Sequence, residues 1–126
     1  MQGFNHLAGG VAFTGIFASF ADVNIFEKPE YLAVTVFCSV IPDVDHTKSL
    51  IGKLFFPLAK WLNNKFGHRT ITHSFIFWII CILVVRLLEI MWFKSLVYST
   101  IVAFSILSHD LFDMCTKQGV LFFYPF

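Results

Sequence analysis

Histidine and aspartate fall in four short groups. His6 stands alone near the start. Pro42-Asp43-Val44-Asp45-His46 comes next, then His68-Arg69-Thr70-Ile71-Thr72-His73, then Ser108-His109-Asp110-Leu111-Phe112-Asp113. Imidazole nitrogens and carboxylate oxygens are ligands for divalent cations such as zinc and manganese. Asp43 and Asp45 are one residue apart with His46 beside them. Two close carboxylates repel each other, and a divalent cation relieves that repulsion. His109 and Asp113, spaced i,i+4, share one helix face, a geometry that suits a ligand pair. His68 and His73 would diverge by about 140° on one continuous helix. A turn between them, with His73 opening a helix, lets both point inward. Each group alone has a plainer reading: a helix cap for Asp43-Asp45, a hydrogen-bonded pair for His109 and Asp113, an interfacial histidine for His6. The conjunction is what argues for a metal site.

The elements that must position these groups are apolar. The chain of 126 residues is 57% hydrophobic and 13% charged, with 17 phenylalanines. Soluble domains carry about 25% charged residues. With a mean hydropathy of +0.75, so little polar surface points to lipid as the solvent. The length suits a single membrane-embedded domain over 1–126. The formal net charge of +1 gives no reason to expect nucleic acid. Cys38, Cys81 and Cys115 are odd in number, have no CxxC spacing and lie in apolar surroundings, which predicts reduced packing residues. The N-terminus lacks the basic region of a cleaved signal peptide.

About 20 apolar residues cross a bilayer as a helix. Four stretches are candidates: His6–Phe26, Tyr31–Ile41 (short, ended by Pro42), Ser74–Phe93, and Lys94 to Asp113. The first carries Ala8, Ala12, Gly15 and Ser19 at the spacing of a close helix–helix contact. Near the end of the third, Arg86 and Glu89 can pair; an ion pair snorkelling to the interface is the plain reading. Between the second and third, Ile51, Leu54, Phe55, Leu58 and Leu62 share a face opposite Lys53, Lys60, Asn63 and Asn64. That predicts an amphipathic helix lying in the interface, kinked or divided at Pro57. The expected architecture is all-α: a multi-pass bundle of about four transmembrane helices plus this interfacial helix.

Each polar group lies an even number of crossings from the others, so all meet at one face. That face carries Lys48, Lys53, Lys60, Lys65, Arg69 and Lys117, against Lys28, Lys94 and Arg86 opposite. The positive-inside rule puts the site in the cytoplasm.

At these residues the chain resembles the membrane-bound metal-dependent hydrolase family of bacterial inner membranes, the LexA-regulated type. The resemblance rests on His6 and its small-residue helix and on Ile41-Pro42-Asp43-Val44-Asp45-His46 with Lys48, Ser49 and Gly52. It continues through Phe66-Gly67-His68-Arg69, Thr72-His73-Ser74 and Leu107-Ser108-His109 with Asp113, to Thr116, Gly119 and Pro125, over nearly the whole chain. It implies a multi-pass inner-membrane protein with metal-dependent hydrolytic activity, and through a distant similarity to zinc-dependent phospholipases C it points to phosphoesters. Family members usually continue past the position of Pro125; this chain stops at Phe126, as a short or a truncated member would.

His6, Asp43, Asp45, His46, His68, His73, His109 and Asp113 are the expected metal ligands; Asp110 does not match and is left out. Eight ligands exceed what one tetrahedral zinc needs, so two ions (zinc or manganese) are expected. Arg69 is the candidate to grip a substrate phosphate bidentately. Asp45 or Asp113 is the candidate general base. Thr72, Ser108 and Thr116 are candidates for hydrogen bonds behind the ligands. The leading expectation is hydrolysis of a lipid or phosphoester at the cytoplasmic membrane face. The rivals are a metal-binding or metal-transporting membrane protein without hydrolysis, and a structural subunit whose polar cluster is a hydrogen-bonded network. The sequence leaves the oligomeric state open.

Overall fold

In the computed structural model, which describes residues 3–67, 71–93 and 95–115, every regular element is helical. α1 (Gly3–Ser19) stops short of the Phe26 expected from hydropathy. Asp22 takes a left-handed φ of 60°, which aspartate tolerates better than most residues. The turn is closed by Asp22 N donating to Ser19 O (3.1 Å) and Val23 N to Ala18 O (3.0 Å). Val23 and Ile25 then fold back beside Ala18, Tyr31 and Ile101.

α2 (Pro29–Val40) opens on a proline, whose fixed φ and missing N–H suit a first helical turn. It runs into a 3-10 turn, Ile41–Asp45. Ser49 ties that turn to the next helix: its hydroxyl lies 2.8 Å from both the Asp43 and His46 carbonyls and accepts from Gly52 N at 2.9 Å. A Cβ on Gly52 would overlap the His46 carbonyl, so only glycine allows this approach. The amphipathic stretch is two helices, α3 (Leu50–Leu54) and α4 (Phe56–Phe66), divided at Phe55 just before Pro57. Leu54, Phe55, Phe56, Leu58 and Trp61 are exposed, while α4 packs against the 3-10 turn that carries Asp43.

A second 3-10 turn, Ile71–His73, leads into α5 (Phe75–Leu88), capped by Ser74 accepting from Phe77 N at 3.2 Å. α5 continues as a π-helical turn, Glu89–Phe93. Phe75–Trp92 is the one segment among the described residues that is long and apolar enough, by length and composition, to cross a membrane. α1 has 17 residues and α2 has 12. α6 (Val97–Met114) is the centre, packed against α1, α2 and α5.

Beside an apolar core around Ile25, Ile101 and Ile106, the packing departs from the pattern of a soluble protein. Large apolar side chains such as Phe17, Phe37, Ile80, Leu83 and Leu87 face outward. Small and hydroxyl side chains face inward, and their polar atoms are satisfied locally. Thr14 and Ser105 hydroxyls meet at 3.2 Å between α1 and α6. Thr35 donates to Tyr31 O and Ser39 to Thr35 O. Trp78 Nε1 reaches from α5 to Ala103 O (2.8 Å). Close approach through small residues with hydroxyl hydrogen bonds is how helices associate without a hydrophobic driving force. Gly10 shows the tolerance: a Cβ there would overlap Ser39.

At the far end, Arg86 and Glu89 pair (Nη1 to Oε2, 3.7 Å), but Glu89 does not snorkel. It is buried, and its Oε1 accepts from Ser99 N at 3.0 Å. The first turn of α6 has unpaired N–H groups and a partial positive charge, which favour an inward carboxylate there.

Candidate metal centre

Three elements bring four polar side chains to one end of the bundle. Asp43 comes from the first 3-10 turn, His73 from the second, and His109 and Asp113 from the last two turns of α6. One ligand atom from each lies within 4.8 Å of all the others. His73 Nε2 is 2.9 Å from Asp113 Oδ2 and 3.1 Å from His109 Nε2. His109 Nε2 is 3.1 Å from Asp113 Oδ2 and 3.4 Å from Asp43 Oδ1, and His73 Nε2 is 3.8 Å from Asp43 Oδ1.

The far side of each imidazole fixes what its near side offers. His109 Nδ1 lies 2.6 Å from the Ser39 carbonyl. A carbonyl can only accept, so Nδ1 carries the hydrogen. Thr72 Oγ1 donates to Asp45 Oδ2 at 2.7 Å and lies 3.2 Å from His73 Nδ1. Its single hydrogen is committed to the carboxylate, so His73 Nδ1 must donate to the hydroxyl. In the neutral rings both Nε2 atoms then present lone pairs to the centre, facing two carboxylates. Such an arrangement holds together only with a shared proton or a cation inside it. A second hydrogen bond that fixes tautomer and orientation is the usual setting of metal-ligating histidine.

Charge follows the geometry. Burial alone would raise the Asp43 carboxyl, but with the shared proton rather than a cation at the centre, carried on the imidazoles, its hydrogen bond to His109 and the fields of His109, His73 and His6 bring it below its ordinary value. Burial lowers the His73 imidazole, against the pull of Asp113. Asp43 is thus ready as an anion and His73 as a neutral ring, the forms that bind metal. Ligands about 2.0–2.2 Å from a tetrahedral zinc stand about 3.3–3.6 Å from one another, and the five separations above, 2.9 to 3.8 Å, bracket that range.

The other expected residues occupy different places. His6 stacks on His109 with ring centroids 3.8 Å apart, its Nε2 3.2 Å from Asp113 Oδ1. Asp45 is fully buried and is linked to the centre through Thr72 and His73. His46 Nδ1 accepts from Lys48 N at 3.2 Å, which turns that nitrogen to its own turn. Ser108 donates to Ser105 O. His68, Arg69 and Thr116 lie outside the described residues. Asp110 is buried, and among the described residues neither of its carboxylate oxygens has a hydrogen-bond partner. The Ser39 carbonyl went unforeseen, because a backbone acceptor leaves no mark in residue type. Gly10, which admits α1 against Ser39, was the only trace available.

The family described as YdjM inner membrane protein matches residues 1–126, the whole chain. The chain belongs to the YdjM inner membrane protein family. Among curated proteins it is similar to the uncharacterized protein YvsG of Bacillus subtilis (strain 168), 30% identical over 131 aligned residues covering 99% of this chain and 74% of that protein. It is also similar to the inner membrane protein YdjM of Escherichia coli (strain K12), 33% identical over 88 residues covering 68% of this chain and 44% of the relative. The Shigella flexneri protein of the same name matches to the same extent. The chain thus spans less than half the length of those two YdjM proteins. No solved structure matches it. Membership in the YdjM family puts the chain in the bacterial inner membrane, in accord with its outward-facing apolar side chains.

Proposed function

We propose that this YdjM-family chain is a membrane-bound metal-dependent hydrolase acting on a lipid or phosphoester at the cytoplasmic face. Asp43, His73, His109 and Asp113 hold one divalent cation, zinc or manganese. One observation carries the reading: both imidazoles have their N–H tied back, to Ser39 O and Thr72 Oγ1, so that lone pairs and carboxylates converge on one point. In this reading α1, α2, α5 and α6 all cross the bilayer, and the exposed Leu54, Phe55, Phe56, Leu58 and Trp61 seat α3 and α4 among headgroups. The excess of lysine on that side puts it in the cytoplasm.

A divalent cation bound there would lower the pKa of a water and stabilise negative charge on a carbonyl or phosphoryl oxygen. The chain's own groups do the rest. Asp43 is the one ligand with solvent access, its side chain 12% exposed against 0% for His73, His109 and Asp113. Water and substrate therefore arrive on its side. Asp45, through Thr72, fixes the His73 ring, and the His6 ring packs against His109. Arg69 is proposed to grip a substrate phosphate. The ligand count in the sequence leads to an expectation of two ions, but the described residues form a single four-ligand group, so one ion is proposed.

Four protein ligands can also close a tetrahedral site completely, as structural zinc sites do. This favours, as a second reading, metal binding without hydrolysis. Elemental analysis of the detergent-purified protein, beside Asp43→Ala and His73→Ala, tests the first step. The expected result is a bound divalent ion in the wild type and loss in both variants. A wild type that stays metal-free after reconstitution with zinc and manganese would falsify the site. With metal present, inactivity across a phospholipid and phosphoester panel would select the second reading.

A further inference from the structure

A cavity lies away from the polar cluster, between α2 and α5. Both helices pack against α6 and scarcely touch each other. The gap is a groove of about 430 Å³, with α6 as its floor. Val34, Phe37, Cys38 and Ile41 form one wall, Ile80, Cys81, Val84, Val85 and Leu88 the other, and Tyr98, Val102 and Ile106 the floor.

Three lining residues abut the metal centre in sequence. Cys38 precedes Ser39, whose carbonyl holds His109. Ile41 is two residues before Asp43. Ile106 lies one helical turn before His109 and Asp110. At the other end the groove stops at Glu89, the buried carboxylate that caps α6. Along α5, Ile80 to Glu89 spans about 13 Å at 1.5 Å per residue. One leaflet's hydrocarbon is about 15 Å deep, half of the ~30 Å core.

We propose that this groove binds one acyl chain of a membrane lipid, with the lipid's ester or phosphoester group at the Asp43 side of the metal centre. The apolar walls would leave water without partners. Over about 13 Å of length the volume is too narrow for a helix 10–12 Å across. It falls within the roughly 300–1,000 Å³ of small-ligand sites. The surrounding bilayer supplies chains directly, because Ile80 and Val84 on the rim are half-exposed on the outward face of the protein. Glu89 ends the groove with a charge that a methyl terminus does not pass, so chain length is limited from that end. The proposal rests on the hydrolase reading only for the placing of the headgroup.

The test uses the full chain in phosphatidylethanolamine–phosphatidylglycerol vesicles doped with a phosphatidylethanolamine bearing a diazirine near its acyl terminus. Photolabel should map to the groove walls, Phe37, Cys38, Val84 and Leu88, in preference to Leu83 and Leu87, which face outward and do not line the groove. Val84→Trp, which fills the groove, should bring that label down to the level seen at Leu83 and Leu87. Leu83→Trp should leave it unchanged, and both variants should keep their metal. Label spread equally over Leu83, Leu87 and the groove walls in the wild type would overturn the proposal without any variant. So would a Val84→Trp protein that is labelled like the wild type. Groove label that responds to Val84→Trp in a protein without bound metal would leave the groove standing and bring down the hydrolase reading alone.

Discussion

The two ends of the α5–α6 pair bury acidic side chains for opposite reasons. At the far end Glu89 is matched by the chain itself: Ser99 N donates to one oxygen and Arg86 pairs with the other. At the site end Asp43 and Asp113 face two imidazoles whose N–H groups are spent elsewhere, on Ser39 O and Thr72 Oγ1. A buried carboxylate alone is therefore weak grounds for a site. The informative difference is whether the surroundings supply donors or only more acceptors. The far end is met by protein groups: a main-chain donor on one oxygen and a cation 3.7 Å from the other. The site end is complete only with a positive charge at its centre.

Removing a ligand should have the largest effect and sharpen the contrast most. His109→Ala or Asp113→Ala is expected to lower metal affinity by more than about 100-fold, beyond the 10–100-fold typical of residues behind the ligands. Metal titration of the detergent-purified variants reads this directly; wild-type affinity in either variant would mean that the centre lies elsewhere.

Acidification should act next. Protons compete with metal for the ligands. Burial holds His73 below its ordinary 6.5, so that ring stays neutral at pH 7 and protonates only at lower pH. Metal should be retained through neutral pH and released as the pH falls below 6.5. Dialysis across a pH series followed by elemental analysis checks the sign; release on raising the pH from 7 to 8 would contradict it.

Thr72→Val removes the link from Asp45 to His73 while keeping the shape. Metal affinity should fall by about 10–100-fold with the helical content unchanged by circular dichroism. No change would mean that His73 is oriented without Thr72.

The smallest effect belongs to the far end. Glu89→Ala should cost about 1–3 kcal/mol of stability, the range for leaving a buried donor unpaired, read in a thermal or denaturant melt in detergent. Its metal content should match the wild type. Loss of metal in this variant would break the division between the two ends.

Hydropathy alone made the Phe75–Trp92 helix legible, because its apolar core from Phe75 to Val85 is uninterrupted and too long for a strand. The division of the amphipathic stretch was equally legible, since Pro57 cannot continue an incoming helix. The early end of α1 was not: it depends on Asp22 adopting a left-handed turn, which aspartate permits but does not require. Of the polar residues expected at one face, the structure draws Asp43, His73, His109 and Asp113 to a single point. Which of the eight candidates would stand at the centre was not legible. The choice is made by backbone turns, as when His46 Nδ1 receives Lys48 N. The capping of α6 by Glu89 was hidden for a similar reason, because its partner is a main-chain N–H ten positions away.

X-ray absorption at the metal edge of the purified, zinc-loaded protein tests the central claim most directly. The account predicts a shell of two imidazole nitrogens and carboxylate oxygens at about 2.0–2.2 Å, with the imidazole contribution halved in His109→Ala. A shell of oxygen alone, or an imidazole signal unaffected by His109→Ala, would contradict it.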